Sequence, residues 1–288
     1  MARVVQAPAQ RPTRAGSLRT TGTEHPGDRL LDGIAFRPES CASGGVVEFC
    51  EGTTKTIVAP SGEVCVNTVG LWTGDECSAI TGVDTITDTI DRVERRLDIT
   101  TSHKLEEYLW TGAPFDLDAE GACTEATLAS EAADDITPAG GPVGVVPGIS
   151  LLVEAIDNAL QGGRGVIHVP RYVLPYLSFY FQVTRFGDIL QVAGTDHLII
   201  AGAGYPGTDP DGQAPSDGFV WVYATGIVEF ALDRIFVPGR DEPASLVDRS
   251  VNTVEVRAER GAAAWFDPCV HAALEICLPD PGPACASS

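Results

Sequence analysis

The segment Gly202-Ala-Gly-Tyr-Pro-Gly207 has the spacing Gly-x-Gly-x-x-Gly, which in dinucleotide-binding proteins cradles a pyrophosphate. That chemistry requires a helix directly after the glycines, because the free N–H groups of its first turn bind the phosphate oxygens. Here Pro206 interrupts the loop, and Thr-Asp-Pro-Asp-Gly follows it, a sequence unsuited to starting a helix. The pattern therefore predicts a loop without a nucleotide site.

Other residues that could carry chemistry lie close to this loop or in predicted strands. Asp209, Asp211 and Asp217 offer oxygen ligands of the kind that Ca²⁺ prefers, but no glutamate follows at the interval of a calcium-binding loop. His168 and His271 stand among apolar residues, which is typical of core or interface histidines. The sequence contains no Gly-x-Ser-x-Gly and no His-Glu-x-x-His motif. We therefore expect no catalytic residue, cofactor or metal, and an enzyme is unlikely on this pattern.

The eight cysteines form no Cys-x-x-Cys pair and no zinc-type spacing with histidine. No apolar run approaches the roughly 18–20 residues that cross a membrane, and the first residues lack the apolar core of a signal peptide. Synthesis in the cytoplasm is expected, which favours mostly reduced cysteines. Late cross-strand disulfides within residues 41–77 are the alternative. The cysteines are Cys41, Cys50, Cys65, Cys77, Cys123, Cys269, Cys277 and Cys285.

Composition and charge indicate a chain that associates with itself. Of 288 residues, 44% are hydrophobic and only 20% are charged, a low share for a monomer; a glycine-rich globular protein with neutral loops is the alternative. The net charge of −21 argues against a basic groove for nucleic acid. Residues 1–20 carry four arginines and no acid, which predicts an extended arm, either a plain terminus or a strap across neighbouring subunits.

Hydrophobic periodicity predicts the elements between these segments. Residues 44–72 alternate polar and apolar positions around turns, as in a long two-stranded hairpin that needs another surface to lie on. From Val83 to Trp110 the period becomes helical, with Asp84 or Thr85 as the cap. A shorter helix capped by Ser150 and a short helix after Pro170 follow. The predicted strands are Val166–Val169, Ile189–Val192, Leu198–Ala201, Phe219–Ala224 (extended by Gly226–Leu232) and Val251–Ala258, which resumes at Ala262.

The last strand carries a family resemblance. Its sequence, Asn252-Thr-Val-Glu-Val-Arg-Ala-Glu-Arg260 followed by Ala262-Ala-Ala-Trp-Phe-Asp-Pro268, is similar to the final strand of the peripheral domain in Hong Kong 97-type phage capsid proteins. Leu105-Glu-Glu-Tyr-Leu-Trp-Thr-Gly112 resembles the helix end in those capsids and in encapsulin shells. The order of arm, hairpin and long helix also resembles the family, whereas the cysteine content departs from it.

This resemblance implies an α+β, Hong Kong 97-like capsid fold. Its parts would be an N-terminal arm (1–40), an E-loop hairpin (41–80), a spine helix with the start of the peripheral domain (81–148), an axial domain (149–240), and a return strand with the C-terminal tail (241–288). The implied function is that of a major capsid protein, forming hexamers and pentamers of the head shell around double-stranded DNA with scaffold, portal and decoration proteins as possible partners. The alternatives are an encapsulin-like compartment and another virion protein, such as a tail tube or decoration protein.

The resemblance also implies one reaction. Some shells of this type join a hairpin lysine to a strand asparagine by an isopeptide bond, with a glutamate as the base. The matching residues in this chain are Lys55, Asn252 and Glu259. Attack by an amine on an amide requires a neutral lysine, which burial among apolar neighbours favours. The alternative is that the asparagine and glutamate stand in a shell that never cross-links.

Overall fold

The computed structural model shows an α+β chain with two large sheets, one two-stranded sheet and one long helix, preceded by the one-turn helix α1 (Leu18–Thr21). It describes residues 15–26, 34–36, 64–78, 85–113, 127–242, 246–248, 250 and 253–279. The predicted α+β class is confirmed.

The long helix, α2 (Ile86–Thr111), confirms the helix predicted from Val83 to Trp110. Its first turn is fixed by a capping box, in which Thr85 Oγ1 accepts from the Asp88 N–H and Asp88 Oδ2 accepts from the Thr85 N–H. It ends at Gly112, whose left-handed backbone (φ 73°) is a conformation that glycine adopts without a Cβ clash. The local sequence therefore sets both ends of the helix.

A five-stranded sheet is built around β14 (Thr253–Phe266). This strand pairs antiparallel with β4 (Val69–Ser78), from Thr253 opposite Ser78 to Ala262 opposite Val69. It also pairs with β12 (Val228–Leu232) and β13 (Val247–Asp248), and β1 (Thr23–Pro26) adds a parallel edge to β12. The strand predicted to break before Ala262 is continuous, because its partner β4 runs past Gly261 without interruption.

One face of this sheet is covered by α2. Alternate residues of β14 point at the helix, in keeping with the two-residue period of a strand, and are almost fully buried. The contact forms an apolar cluster that includes Ile90, Val93, Leu97, Val254, Val256 and Ala258. The helix and the long strand thus form one rigid two-layer unit.

An eight-stranded sheet forms the second body, in the order β5-β15-β11-β7-β10-β9-β8, with β6 also paired to β15. Its core packs against α3 (Val145–Leu160) and α4 (Leu174–Phe179), the latter following a 3₁₀ turn at Arg171–Val173. The strands are β5 (Asp134–Asp135), β6 (Val143–Gly144), β7 (Val166–Pro170), β8 (Val183–Phe186), β9 (Ile189–Val192), β10 (Leu198–Gly202), β11 (Phe219–Thr225) and β15 (His271–Cys277). The strands predicted within this region and the short helix after Pro170 are confirmed.

The predicted cap of α3 was wrong. The helix begins at Val145 after Gly144, and the Ser150 hydroxyl donates to the Val146 carbonyl inside it. Pro147 is the third residue of the helix, and a proline within the first helical turn costs little, because its missing N–H would have no intrahelical partner. The helix therefore begins six residues before Leu151, the first helical residue that a cap at Ser150 implies.

The prediction that Gly226–Leu232 extends the preceding strand was also wrong, because the chain changes sheets at Gly226. β11 lies in the eight-stranded sheet and β12 in the five-stranded sheet. At the crossing, a Cβ on Gly226 would lie 2.9 Å from the Asp267 carbonyl oxygen, so only glycine fits without a shift. Asp267 directly follows β14, where the chain passes back from the five-stranded sheet to β15 in the eight-stranded sheet. The two chain segments that connect the sheets therefore lie side by side at Gly226 and Asp267.

Within the predicted hairpin, the structure describes only the C-terminal part. β3 (Val64–Val66) pairs antiparallel with β2 (Ile34–Phe36), while Val69 onward belongs to β4 and the five-stranded sheet. The remaining predicted hairpin residues, Val46, Glu48, Lys55 and Ile57 among them, lie outside the described residues. The predicted hairpin pairing at 69–72 is therefore replaced by pairing with β14.

Three cysteines depart from the expected reduced state, since Cys65, Cys269 and Cys277 are in disulfide bonds. Cys269 lies in the turn before β15, and Cys277 is the last residue of that strand. The seven-residue strand is about 20 Å long, far more than the ~7 Å between Cα atoms that a disulfide spans. The two cysteines are therefore not bonded to each other. The expected reduced state is wrong for Cys65, Cys269 and Cys277, because no spacing pattern in the sequence marks their partners.

Candidate functional site: the N-terminal strap and the Glu259 strand

Residues 15–26, which we call the N-terminal strap, contact both sheets and the helix between them. At its start, the Gly16 N–H donates to the Asp188 carbonyl and the Ala201 N–H donates to the Gly16 carbonyl, both at 2.8 Å. Arg171 Nη2 donates to the Ala15 carbonyl at 3.2 Å. Gly16 has a positive φ of 67° and lies against Leu190, where a Cβ would clash. These contacts fix the start of the strap on the eight-stranded sheet.

The middle of the strap contacts α2. The Leu18 N–H donates to Glu106 Oε1 at 3.0 Å, and the Leu18 side chain is completely buried. Arg19 Nη1 donates to both the carbonyl and the carboxylate of Asp98, at 3.1 and 3.0 Å. The described part of the arm is therefore held by specific hydrogen bonds with the long helix.

The end of the strap is the edge strand β1 of the five-stranded sheet. It runs parallel to β12 from Thr23 opposite Glu229 to Pro26 opposite Leu232. His25 Nε2 lies 3.2 Å from Glu229 Oε2, and its ring lies 5.6 Å from that of Trp265. In twelve residues the strap thus joins the eight-stranded sheet, α2 and the five-stranded sheet, and it braces the two bodies against each other.

Glu106 is the buried centre of this brace, with only 1% of the residue exposed. Its Oε1 accepts from the Leu18 N–H and from Ser102 Oγ, and its Oε2 accepts from the Gly204 N–H at 3.1 Å. Burial raises the pKa of Glu106, and these hydrogen bonds together with the charge of Arg171 only partly offset that effect. One side chain of α2 therefore holds both the strap and the loop after β10.

The glycine motif at 202–207 serves packing in this structure. Gly204 lies so close to α2 that a Cβ would stand 2.0 Å from the His103 carbonyl oxygen, and Tyr205 packs at 4.9 Å between ring centroids on Trp110. The described chain after Gly207 forms turns and no helix before β11. The predicted loop is confirmed, and its glycines allow close contact with the helix.

His168 is a satisfied core histidine, as predicted. It is fully buried, and its ring nitrogens lie 3.0 Å from the Tyr205 hydroxyl and 2.8 Å from Thr225 Oγ1. Burial, with a smaller contribution from His271, lowers the pKa of His168 to about 3. The ring is therefore neutral at physiological pH and is sealed from solvent. His271 is likewise bound in the core, with Nε2 2.9 Å from the Leu128 carbonyl oxygen.

Of the three residues in the predicted cross-link, the structure describes Glu259; Lys55 and Asn252 lie outside the described residues. Glu259 lies on β14 opposite Trp72 of β4, and its Oε1 is 2.8 Å from Arg257 Nε. The Arg257 guanidinium also lies 5.1 Å from the centre of the Trp72 ring, and Trp72 is 66% exposed. This face of β14 therefore presents an ionic and aromatic group to solvent.

The geometry of β14 limits how such a cross-link could form. The backbone from Thr253 to Glu259 is a continuous extended strand, paired throughout with β4. At about 3.3 Å per residue, Glu259 lies roughly 20 Å from the strand start, next to which Asn252 stands in the sequence. Glu259 and the start of β14 at Thr253 therefore lie far apart within one copy of the chain.

One cavity in the described part of the chain has a volume of about 250 Å³ and is lined by residues that include Val69, Leu71, Lys104 and Tyr108. That volume is below the 300–1,000 Å³ of typical ligand sites. Among the described residues, no three His, Cys, Asp or Glu side chains are arranged to hold a metal ion. Asp209 instead closes a turn by accepting from the Gln213 N–H at 2.6 Å.

The described helices include none that is both long and apolar enough to span a membrane.

Comparison by sequence finds no matching protein-family model, and no curated protein matches the chain.

Comparison by structure gives near full-length matches. A chain of Microbacterium phage Oxtober96 aligns with a TM-score of 0.57 and 12% identity, covering 97% of this chain and 96% of that one. A chain from the capsid of an empty GTA particle, computed with C5 symmetry, aligns with a TM-score of 0.54 and 9% identity over 97% and 94% of the two chains. A chain of Gordonia phage Cozz aligns with a TM-score of 0.52 and 12% identity, covering 97% of this chain and 91% of that one. The chain therefore has a capsid-like α+β fold.

Sequence reasoning missed the strap contacts and Glu106. The helical stripe through Leu105 and Leu109 was recognised, but Glu106 beside it had no feature that distinguishes a buried carboxylate from an exposed one.

Proposed function

We propose that this chain is the major capsid protein of a tailed bacteriophage and that its copies assemble into an icosahedral head shell. The observation that carries the proposal is the likeness over 97% of the chain to a chain from the capsid of a GTA particle and to a chain of phage Oxtober96. At 9–12% identity this likeness concerns the fold. The function is inferred from the fold together with the surface of the chain.

The surface supports a self-associating protein. Several large apolar side chains are more than half exposed, on both bodies, and in a monomer they would face water without compensation. They are Trp72, Phe179, Phe181, Phe186, Ile227 and Phe236. A low charged fraction of 20% agrees with a chain that covers part of its surface with neighbouring copies. The proposed role is structural, without an enzymatic activity on small molecules.

The proposal extends to partners and location. The copies would form the hexamers and pentamers of the phage head, with scaffold, portal and decoration proteins as further partners. The shell would enclose double-stranded DNA without sequence-specific binding, because a net charge of −21 repels phosphate. The protein would be made in the host cytoplasm and reside in the virion.

Negative-stain electron microscopy and light scattering on the purified chain test this function. Closed polyhedral particles, or rings of five and six copies, are the expected result. A monodisperse monomer of 30.3 kDa at every concentration would contradict it. Particles isolated from infected cells then separate a phage head from an encapsulin-like compartment, because the former contain nuclease-protected DNA and the latter a protein cargo.

A further inference from the structure

The hairpin at the edge of the eight-stranded sheet carries a concentration of exposed aromatic side chains. We call residues 174–192, which comprise α4, β8 and β9, the aromatic lobe. The exposed fraction is 73% for Phe179, 84% for Phe181 and 60% for Phe186, and Ile189 is 38% exposed. The lobe is held from within, since Leu177, Leu190 and Val192 are buried in the sheet core. Its aromatic side is therefore a rigid surface.

Phe181 has an unusual backbone that keeps its ring in solvent. Its φ is +56°, a left-handed conformation that is rare for a bulky residue and strained by its Cβ. The conformation is fixed by the turn, in which the Phe181 N–H donates to the Ser178 carbonyl and the Gln182 N–H donates to the Leu177 carbonyl. The turn therefore holds an 84% exposed ring on a strained backbone.

The backbone of the lobe is also open on one side. β8 is the terminal strand of its sheet and, within the described residues, pairs with β9 alone. An edge strand with exposed apolar side chains is a ready surface for another chain, and monomeric proteins usually protect it with charges, prolines or bulges. On β8 that protection is one charged side chain, Arg185, which is 3.7 Å from Asp188 across the turn.

Charge indicates what covers the lobe. Between Asp157 and Asp188 the sequence has no acidic residue and three arginines, Arg164, Arg171 and Arg185, in a chain whose net charge is −21. Residues 174–187 of the lobe lie within this acid-free stretch, so two copies of this acidic chain repel each other less when they meet there.

The size of the lobe suits one of several contacts per subunit. At roughly 200 Å² for an aromatic side chain, the exposed fractions of the three phenylalanines amount to about 400 Å². That is about half of the ~800 Å² that each partner contributes to a standard interface. Such a contact is weak alone and becomes effective when it repeats around a ring.

From these observations we infer that the aromatic lobe is a contact surface for a second copy of this chain, joining neighbours around a ring in the shell. The inference rests on the proposed capsid function and specifies the surface that assembly uses. In a ring the contact is heterologous, so the lobe of one copy packs on a different surface of the next.

Phe181→Asn and Phe186→Ser test the lobe. Asparagine tolerates the left-handed backbone at position 181, so the first variant keeps or raises the stability of the monomer while removing the ring. We expect each variant to fold, by circular dichroism and thermal unfolding, and to raise the protein concentration needed for particle formation by about tenfold or more. Val146→Ser is the control, because Val146 is an apolar side chain that is 39% exposed on α3, outside the lobe.

The outcomes separate this inference from the function on which it rests. If the wild-type chain forms particles and both lobe variants do so at the same concentration, the lobe is not an assembly contact although the capsid function stands. An equal loss in Val146→Ser would also overturn it, since any exposed apolar side chain would then matter as much. If the wild-type chain remains a monomer at all concentrations, the capsid function and the lobe contact fail together.

Discussion

The carboxylate of Glu106 accepts a hydrogen bond from the backbone N–H of Leu18 at 3.0 Å, although 88 residues separate the two along the chain. The same carboxylate accepts from the Gly204 N–H at 3.1 Å. A single buried residue of α2 therefore joins the N-terminal strap to a loop of the eight-stranded sheet. Since the other end of the strap is a strand of the five-stranded sheet, the relative position of the two bodies depends on this contact.

Replacing Glu106 by Gln should have two effects. The amide can accept with one oxygen only, so either the Leu18 or the Gly204 N–H faces an NH₂ group, at a cost of about 1–3 kcal/mol. The pH dependence should also change. Because burial raises the folded pKa of Glu106, wild-type stability from this group is fully present below the unfolded pKa of about 4.5 and is lost as pH rises through the folded pKa. Urea unfolding at a series of pH values measures both effects.

Glu107→Gln is the control for that experiment, because Glu107 is the neighbouring carboxylate, is half exposed and pairs with Lys104 at 2.8 Å. It should cost less stability than Glu106→Gln, because the Glu107 side chain faces solvent and the Leu18 and Gly204 N–H groups keep their acceptor. A Glu106→Gln variant whose stability runs parallel to the wild type from pH 4 to 8 would show that Glu106 does not titrate differently in the folded chain.

His168 should make the fold sensitive to acid. Its folded pKa of about 3 lies below the unfolded value of 6.5, so in that interval the unfolded chain binds a proton that the folded chain does not. Stability from this group is therefore present above pH 6.5 and falls, by about 1.4 kcal/mol per pH unit, as the pH drops towards 3. His168→Gln should reduce this slope in thermal or urea unfolding. His103→Gln, at an exposed position, should leave the slope of stability against pH unchanged. Equal slopes in the wild type and in both variants would show that His168 does not cause the acid sensitivity.

Gly204→Ala should separate the loop after β10 from α2. The new Cβ would meet the His103 carbonyl oxygen at 2.0 Å and the Glu107 nitrogen at 2.8 Å, both of which are backbone atoms that cannot rotate away. We expect a loss at or above the upper end of the ~1–3 kcal/mol typical of overpacked sites, measured by urea unfolding. Gly140→Ala is the matched control, because no atom lies within 4 Å of its added Cβ. A tolerated Gly204→Ala would mean that the loop contact is looser than described.

The cross-link between Lys55 and Asn252 stays a prediction, and boiling assembled particles in detergent tests it. If it forms, bands at multiples of 30.3 kDa should persist in reductant, and they should be lost in Lys55→Arg and reduced in Glu259→Gln. Reductant is essential, because Cys65, Cys269 and Cys277 are in disulfide bonds. A single monomer band from reduced wild-type particles would exclude the reaction. Arg257→Lys serves as the control that keeps a positive charge beside Glu259.

The sequence by itself determined the elements whose cause is local. Helix α2 followed from its apolar period and from Thr85 at its start, because a capping box uses only residues within one turn. The core position of His168 followed from its apolar neighbours in β7. These features depend on residues a few positions apart, and a pattern of residue types records them.

Only the tertiary structure decided the rest. The burial of Glu106 and the change of sheet at Gly226 depend on which distant segments meet, and the same residue types occur on exposed surfaces. The disulfides of Cys65, Cys269 and Cys277 likewise depend on which cysteines the fold brings together. A carboxylate, a glycine or a cysteine acquires its role from its partner across the fold, and the partner is absent from the local pattern.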